Sequence, residues 1–209
     1  MHGRPELRRL LALCALLALA GAAVAEARNV RGTSRNDLKL AGTPGSDRID
    51  GRRGDDRLYG LRGDDLLHGG PGRDRLSGQS GADTLSGGLD SDKLIGGVGG
   101  DTLDGDQGND SLTGGAGDDD LVEKLDGDDS LGGGPGDDLV DGGAGNDRID
   151  GGQGHDSLKG GEGDDVIRAR DGEDDTIDCG AGEDTVEVDD TEDGVVNCEN
   201  VLMPQPAGP

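Results

Sequence analysis

The sequence predicts an all-β fold, a parallel β-roll (a β-solenoid) of nonapeptide repeats. Three observations predict it. A nine-residue pattern recurs in phase from residue 42, 44 of the 209 residues are Gly, and Tyr59 is the only aromatic residue. A wide globular interior needs aromatic bulk that this chain lacks. A stack of small coils does not, because each coil closes over a narrow core.

The repeat is the first element. Clean copies are Gly69-Gly-Pro-Gly-Arg-Asp-Arg-Leu-Ser77, Gly96-Gly-Val-Gly-Gly-Asp-Thr-Leu-Asp104 and Gly142-Gly-Ala-Gly-Asn-Asp-Arg-Ile-Asp150. The consensus is G-G-x-G-x-D-x-U-x, with U a large aliphatic. Position six is Asp47, Asp56, Asp65, Asp74, Asp83, Asp92, Asp101, Asp110 and Asp119. After an inserted residue near Glu123 it resumes with Asp129, Asp138, Asp147, Asp156 and Asp165. Position eight is aliphatic in all fourteen of these units, from Ile49 to Ile167. Composition alone cannot hold that register. The disordered chain that an acidic, Gly-rich composition would otherwise suggest is therefore set aside.

Within a unit, the x-U-x triplet predicts a very short strand with U facing inward. The G-G-x-G-x-D half predicts the turn, where Gly reaches φ > 0 without a steric penalty. Two units make one coil of 18 residues, so odd and even units stack on opposite sides, with strands about 4.8 Å apart.

Stacking brings position-six carboxylates 18 residues apart together, as in Asp47 with Asp65 and Asp56 with Asp74. Two such charges repel by about 3–4 kcal/mol at an effective dielectric near 20. A divalent cation between turns would make the repelling pair a ligand pair. Carboxylates and main-chain carbonyls on a flexible loop, without thiolates, select Ca²⁺ over Mg²⁺, and several ions would bind as the chain folds.

These units resemble the hemolysin-type calcium-binding repeats of the repeats-in-toxin (RTX) family over roughly residues 42–187. The resemblance implies that each Ca²⁺ sits between turns of neighbouring coils, held by position-six Asp side chains and turn carbonyls. It assigns that role to the fourteen Asp residues named above and, in the last unit, to Asp184. Toxin activity is not implied, since no enzyme or pore-forming domain accompanies the repeats and the export signal is N-terminal.

Residues 1–25 predict that signal. Arg4, Arg8 and Arg9 precede the uncharged apolar run 10–23, and Ala23-Val24-Ala25 or Ala25-Glu26-Ala27 offers a cleavage site. The run is short for a membrane span, so no stable membrane insertion is expected after cleavage. In an exported chain Cys179 and Cys198 predict a disulfide worth about 3 kcal/mol. Residues 26–41 predict an N-terminal cap, 188–203 a C-terminal cap, and 204–209 a disordered tail.

Three places depart from the pattern. Asp90 replaces the position-four Gly, Lys124 follows the insertion where a position-one Gly is expected, and Asp174 and Asp175 both compete for the ligand position before Ile177. The roll either continues across residue 123 or splits there. Acidic and Asn residues at position five, such as Asp55 and Asn146, either add to coordination or face water. His68 and His155 share no motif and read as solvated surface.

A formal net charge of −26 disfavours a nucleic-acid partner. No nucleophile–base pair is legible, so the chain is not expected to be an enzyme. The reading is a secreted, non-enzymatic calcium-binding repeat protein, free or attached to the cell surface. The alternative is a calcium-dependent, adhesin-like spacer that binds a protein or glycan partner.

Overall fold

The computed structural model of the chain describes residues 28–189 and 194–203, so the expected signal peptide and tail lie outside the described residues. Among the described residues there are twenty strands and no helix. One sheet holds β1 (Asn29–Arg31), β3 (Arg48–Asp50), β5 (Leu66–Pro71), β7 (Thr84–Leu89), β9 (Thr102–Gln107), β11 (Asp120–Val122), β13 (Leu139–Ala144), β15 (Ser157–Glu162), β17 (Thr176–Ala181) and β19 (Gly194–Val196). The other holds β2 (Leu40–Ala41), β4 (Arg57–Arg62), β6 (Arg75–Ser80), β8 (Lys93–Val98), β10 (Ser111–Ala116), β12 (Ser130–Pro135), β14 (Arg148–Gln153), β16 (Val166–Ala169), β18 (Thr185–Val188) and β20 (Asn200–Leu202). Every pairing is parallel, and each strand neighbours the one two before it. This is the stacked coil of a parallel β-roll.

Register follows the repeat. Leu58 pairs with Leu76 and Leu76 with Leu94, while Ile49 pairs with Leu67 and Leu67 with Leu85. The position-eight side chains from Ile49 to Ile167 form one core between the sheets, none more than 2 % exposed. Burying one aliphatic per unit contributes about 2 kcal/mol per unit, hence about 4 kcal/mol per two-unit coil.

The strands are longer than the triplet predicts. Most span six residues, from position seven of one unit to position three of the next, and only positions four to six form the turn. After the inward position eight the chain stays extended, and position one also faces inward. The kink comes at position two, which takes φ > 0 whether it is Gly or not, as at Arg52, Leu61, Gln79 and Asp106. Position four is stricter. Gly99 has φ +136°, and a Cβ there would run into the Gly81 carbonyl of the coil before it.

The insertion does not split the roll. Both sheets continue past it, with pairing offset to Leu112↔Leu131 and Leu121↔Val140. The expected position-one residue, Lys124, is displaced by Glu123. The Glu123 N–H donates to Asp141 O, the bond that position-one Gly51 makes to His68 O. The extra residue falls within 124–126, and there β11 loses the second half that other strands keep. One isolated bridge, Asp126↔Ala144, spans the gap. A second offset, Leu158↔Ile177, absorbs the irregular stretch before β17.

The ladders also run through segments expected as caps. Val30 pairs with Ile49, Leu40 with Leu58, Val195 with Ile177 and Val201 with Val186. Cys179 and Cys198 form the disulfide, with Cα atoms 5.2 Å apart, and tie β17 to the last coil.

Two substitutions probe the turn. Asp90 occupies position four at φ +74°, so Asp90→Gly is expected to stabilise the roll by about 1 kcal/mol. Gly99→Ala is expected to destabilise it by more than about 1 kcal/mol, through strain and the overlap with Gly81. Urea midpoints measured in calcium check both signs.

Candidate metal centre

Position six closes the turn just before each strand and folds its side chain back beneath the coil. All fifteen Asp residues assigned from the sequence are buried there, none more than 5 % exposed. Their two carboxylate oxygens have different surroundings. One is bonded to the backbone: Asp56 N–H donates to Asp74 Oδ1 at 2.7 Å, and Asp65 N–H to Asp83 Oδ1 at 2.8 Å. The ladder continues from coil to coil until Asp165 N–H donates to Asp184 Oδ1. An amide thus stands between carboxylates that the sequence places in direct contact.

The other oxygen has no partner. Oδ2 is buried and unbonded in thirteen of the fifteen: Asp56, Asp65, Asp74, Asp83, Asp92, Asp101, Asp110, Asp119, Asp138, Asp147, Asp156, Asp165 and Asp184. Asp47 differs, since its Oδ2 accepts from Thr43 N–H and from Thr43 Oγ1. Asp129, beside the insertion, is the other exception. A buried, unsatisfied charged oxygen costs more than about 1–3 kcal/mol, so a row of them marks a missing partner.

The carboxyl groups titrate accordingly. Burial pushes Asp92 up to about 8, and Asp74, Asp119 and Asp147 up to about 7. The amide bond to Oδ1 opposes the rise, and neighbouring carboxylates add a smaller push. Desolvation therefore outweighs the like-charge repulsion that sequence spacing suggests.

Position one is glycine because this carboxylate needs the space. A Cβ on Gly69 would lie on Asp74 Oδ2 and 2.6 Å from the Gly87 carbonyl of the next coil. Main-chain carbonyls complete the surroundings. Outside the strand ladders, the bonds between successive array coils use carbonyls of positions three, six and nine. The position-four carbonyl takes part in none of them and faces the next turn, as Gly54 O faces Gly72.

This donor set fits a hard cation: buried anionic oxygens without partners, next to carbonyl oxygens free of the ladder. Among the described residues no three His, Cys, Asp or Glu side chains converge on one point. A cation here would take few carboxylates per level and fill its shell from carbonyls and water.

Position five forms a separate, outer ladder. Asp64 Oδ1 accepts from Ala82 N–H and Asp137 Oδ1 from His155 N–H, both exposed, so these acids cap amides at the water interface. His155 is exposed and its ring meets Asp174 O, while His68 on β5 meets Ser86 Oγ on β7.

Two buried acids were not assigned from sequence. Asp175, not Asp174, takes the position-six place, accepting from Asp156 N–H at 2.9 Å. The competing pair at 174–175 was its signal. Glu123 is buried at position one, and its Oε1 accepts from Gly105 N–H at 3.1 Å. Oε1 and Asp110 Oδ2 crowd the same point above Gly105, the place where other coils present a position-one carbonyl. Its Oε2 is unpartnered, and burial pushes the group up to about 9. Only the insertion beside it hinted at this.

No curated protein matches the chain. The family model for the RTX calcium-binding nonapeptide repeat matches residues 41–76, 59–94, 68–103, 95–122, 125–158 and 150–186, which together cover more than half of the sequence. Carboxylate rows, glycine spacing and family match agree, and the chain belongs to the family of RTX calcium-binding nonapeptide repeat proteins.

Proposed function

We propose that this is an exported, non-enzymatic calcium-binding module whose coils become a rigid rod when Ca²⁺ is bound. The observation that carries it is the row of buried, unpartnered Oδ2 atoms. Position-six Asp residues, including Asp175, would hold the ions together with position-four carbonyls of adjacent coils. Glu123 would bring a second carboxylate to the Asp110 level. The ion supplies positive charge to oxygens that burial has stripped of water.

Export matches this chemistry, since extracellular modules bind Ca²⁺ at about 10⁻⁴–10⁻³ M. Inside a cell the turns would stay unliganded and the chain open. Outside, the same residues would close the coils, and the Cys179–Cys198 disulfide would lock the last ones.

Calcium titration followed by circular dichroism tests the reading: coil signal in chelator, β signal at about 10 mM Ca²⁺, roughly tenfold above that range. A spectrum identical in both solutions overturns it. Replacing Asp83, Asp101 and Asp119 by Ala, three consecutive levels of one turn row, is expected to lower the calorimetric calcium stoichiometry. Unchanged uptake would remove these residues from the site.

The pH dependence has a definite sign. Without metal, the folded carboxyls titrate above their ordinary value of 3.8, near 6 for Asp65 and near 8 for Asp92. Their contribution to stability is intact below about pH 4 and lost as pH rises to about 8. The metal-free protein should therefore gain β signal on acidification from pH 8 to pH 4. Calcium should produce the same gain at pH 7.5, by occupying oxygens that protons otherwise neutralise.

A further inference from the structure

The sequence contains 46 Asp and Glu residues, yet six successive strands of one sheet contain none. These are β2, β4, β6, β8, β10 and β12. The opposite sheet has acids in β3, β9, β11, β13 and β15. The acid-free sheet instead carries cations. Arg57 pairs with Arg75 and Arg75 with Lys93 at position seven of successive coils, and Lys39 precedes Leu40, the partner of Leu58. All four are exposed, as is Arg62 at the end of β4.

This row runs along the roll axis with one cation per coil, about 4.8 Å apart and about 14 Å from end to end. Neighbours at that spacing repel by roughly 1 kcal/mol in water. Among the described residues, ion pairs involve only Lys124, Lys159, Arg168 and Arg170, so no cation of the row is held in an ion pair. Beside it stands the one aromatic residue of the protein. Tyr59 lies at position nine of β4, half-buried, with Lys39 Nζ 5.9 Å from its ring centre. Ile95 and Val98 on β8 are exposed on the same stretch of sheet, 38 % and 61 % respectively.

We propose that this face binds a linear carboxylated polysaccharide lying along the roll axis, a polyuronate. A uronic acid chain carries one carboxylate per sugar ring, and its ring-to-ring repeat is close to the strand spacing. Carboxylates recurring along the chain then fall within reach of the long Arg and Lys side chains of the row, while Tyr59, Ile95 and Val98 offer apolar surface to the C–H faces of the sugars. Nucleic acid fits less well, since bases need several stacking platforms and only Tyr59 is present. An anionic bilayer has no use for the register and needs more apolar surface than two aliphatics and a tyrosine.

The site rests on the calcium-supported roll proposed above, and the test separates the two. Hexagalacturonate is titrated calorimetrically into the protein in about 10 mM Ca²⁺, with its methyl ester as the uncharged control and circular dichroism reporting the roll. Binding is expected for the acid and not for the ester, weakening as salt rises. Arg57→Thr/Arg75→Thr/Lys93→Thr should keep the β signal and weaken binding by at least about tenfold. Arg148→Thr, at the same repeat position on β14 beyond the row, should leave binding unchanged. Equal binding of acid and ester, full binding by the triple variant, or preference for phosphatidylglycerol vesicles or single-stranded DNA overturns the site. So does a β signal in calcium without hexagalacturonate binding, which leaves the calcium reading standing. Absence of the β signal overturns the calcium reading and the face together.

Discussion

Everything in this roll depends on one buried carboxylate per turn. Position-six Asp does two jobs with two oxygens: Oδ1 binds the amide of the coil before it, and Oδ2 remains bare. The first stitches coils together without any help from solvent. The second makes the same stitch costly, because an anionic oxygen stripped of water raises the energy of the closed coil. The structure is therefore conditional. Its geometry is complete in the chain alone, and its electrostatics are complete only when a proton or a cation meets Oδ2.

The glycine pattern is a consequence of that carboxylate rather than an independent feature. Position one must lack a side chain because Oδ2 fills the inward space above it, and position four disfavours one because the previous turn's carbonyl lies against it, Asp90 being the exception. Positions three, five, seven and nine are free of both constraints, and there the sequence varies. Position two also lies against the carbonyl of the previous coil, as Gly88 does against Gly70 O, yet admits Arg52, Leu61 and Gln79. Glu123 marks the boundary of the rule. A side chain at position one is accommodated only where the chain has an extra residue, where β11 gives up half its length, and where the new group is itself a carboxylate.

Sequence spacing made the two-sheet stack, its 18-residue register and the aliphatic core legible, since each depends only on which residues recur. Position-six Asp residues were legible for the same reason, and the family match covers them. Less was legible where tertiary bonds decide. The strand length was underestimated because position two, with φ > 0, still pairs in register, as Leu61 does with Gln79. The balance between repulsion and desolvation was inverted because no spacing rule reveals the amide that separates Asp56 from Asp74. Asp175 and Glu123 were missed because an insertion shifts the count by one, and only the hydrogen bonds donated by Asp156 N–H and Gly105 N–H identify which residue holds the register.

The same reasoning separates the inside of the roll from its outside. Inward positions are nearly invariant along the array and amount to one repeated answer to one electrostatic problem. Outward positions carry no such duty, so their composition reflects water, solubility or a partner. The opposite sheet admits acids at outward strand positions, such as Asp50, Asp104 and Asp141, whereas the six strands from β2 to β12 have none. A highly anionic chain gains solubility by spreading charge, and gains nothing from clearing one face and lining it with cations at strand spacing. Such segregation costs self-repulsion among Arg57, Arg75 and Lys93 that a bound polyanion would remove. The rigid coil spacing that the buried carboxylates set on the inside is what gives the outer face a ruler.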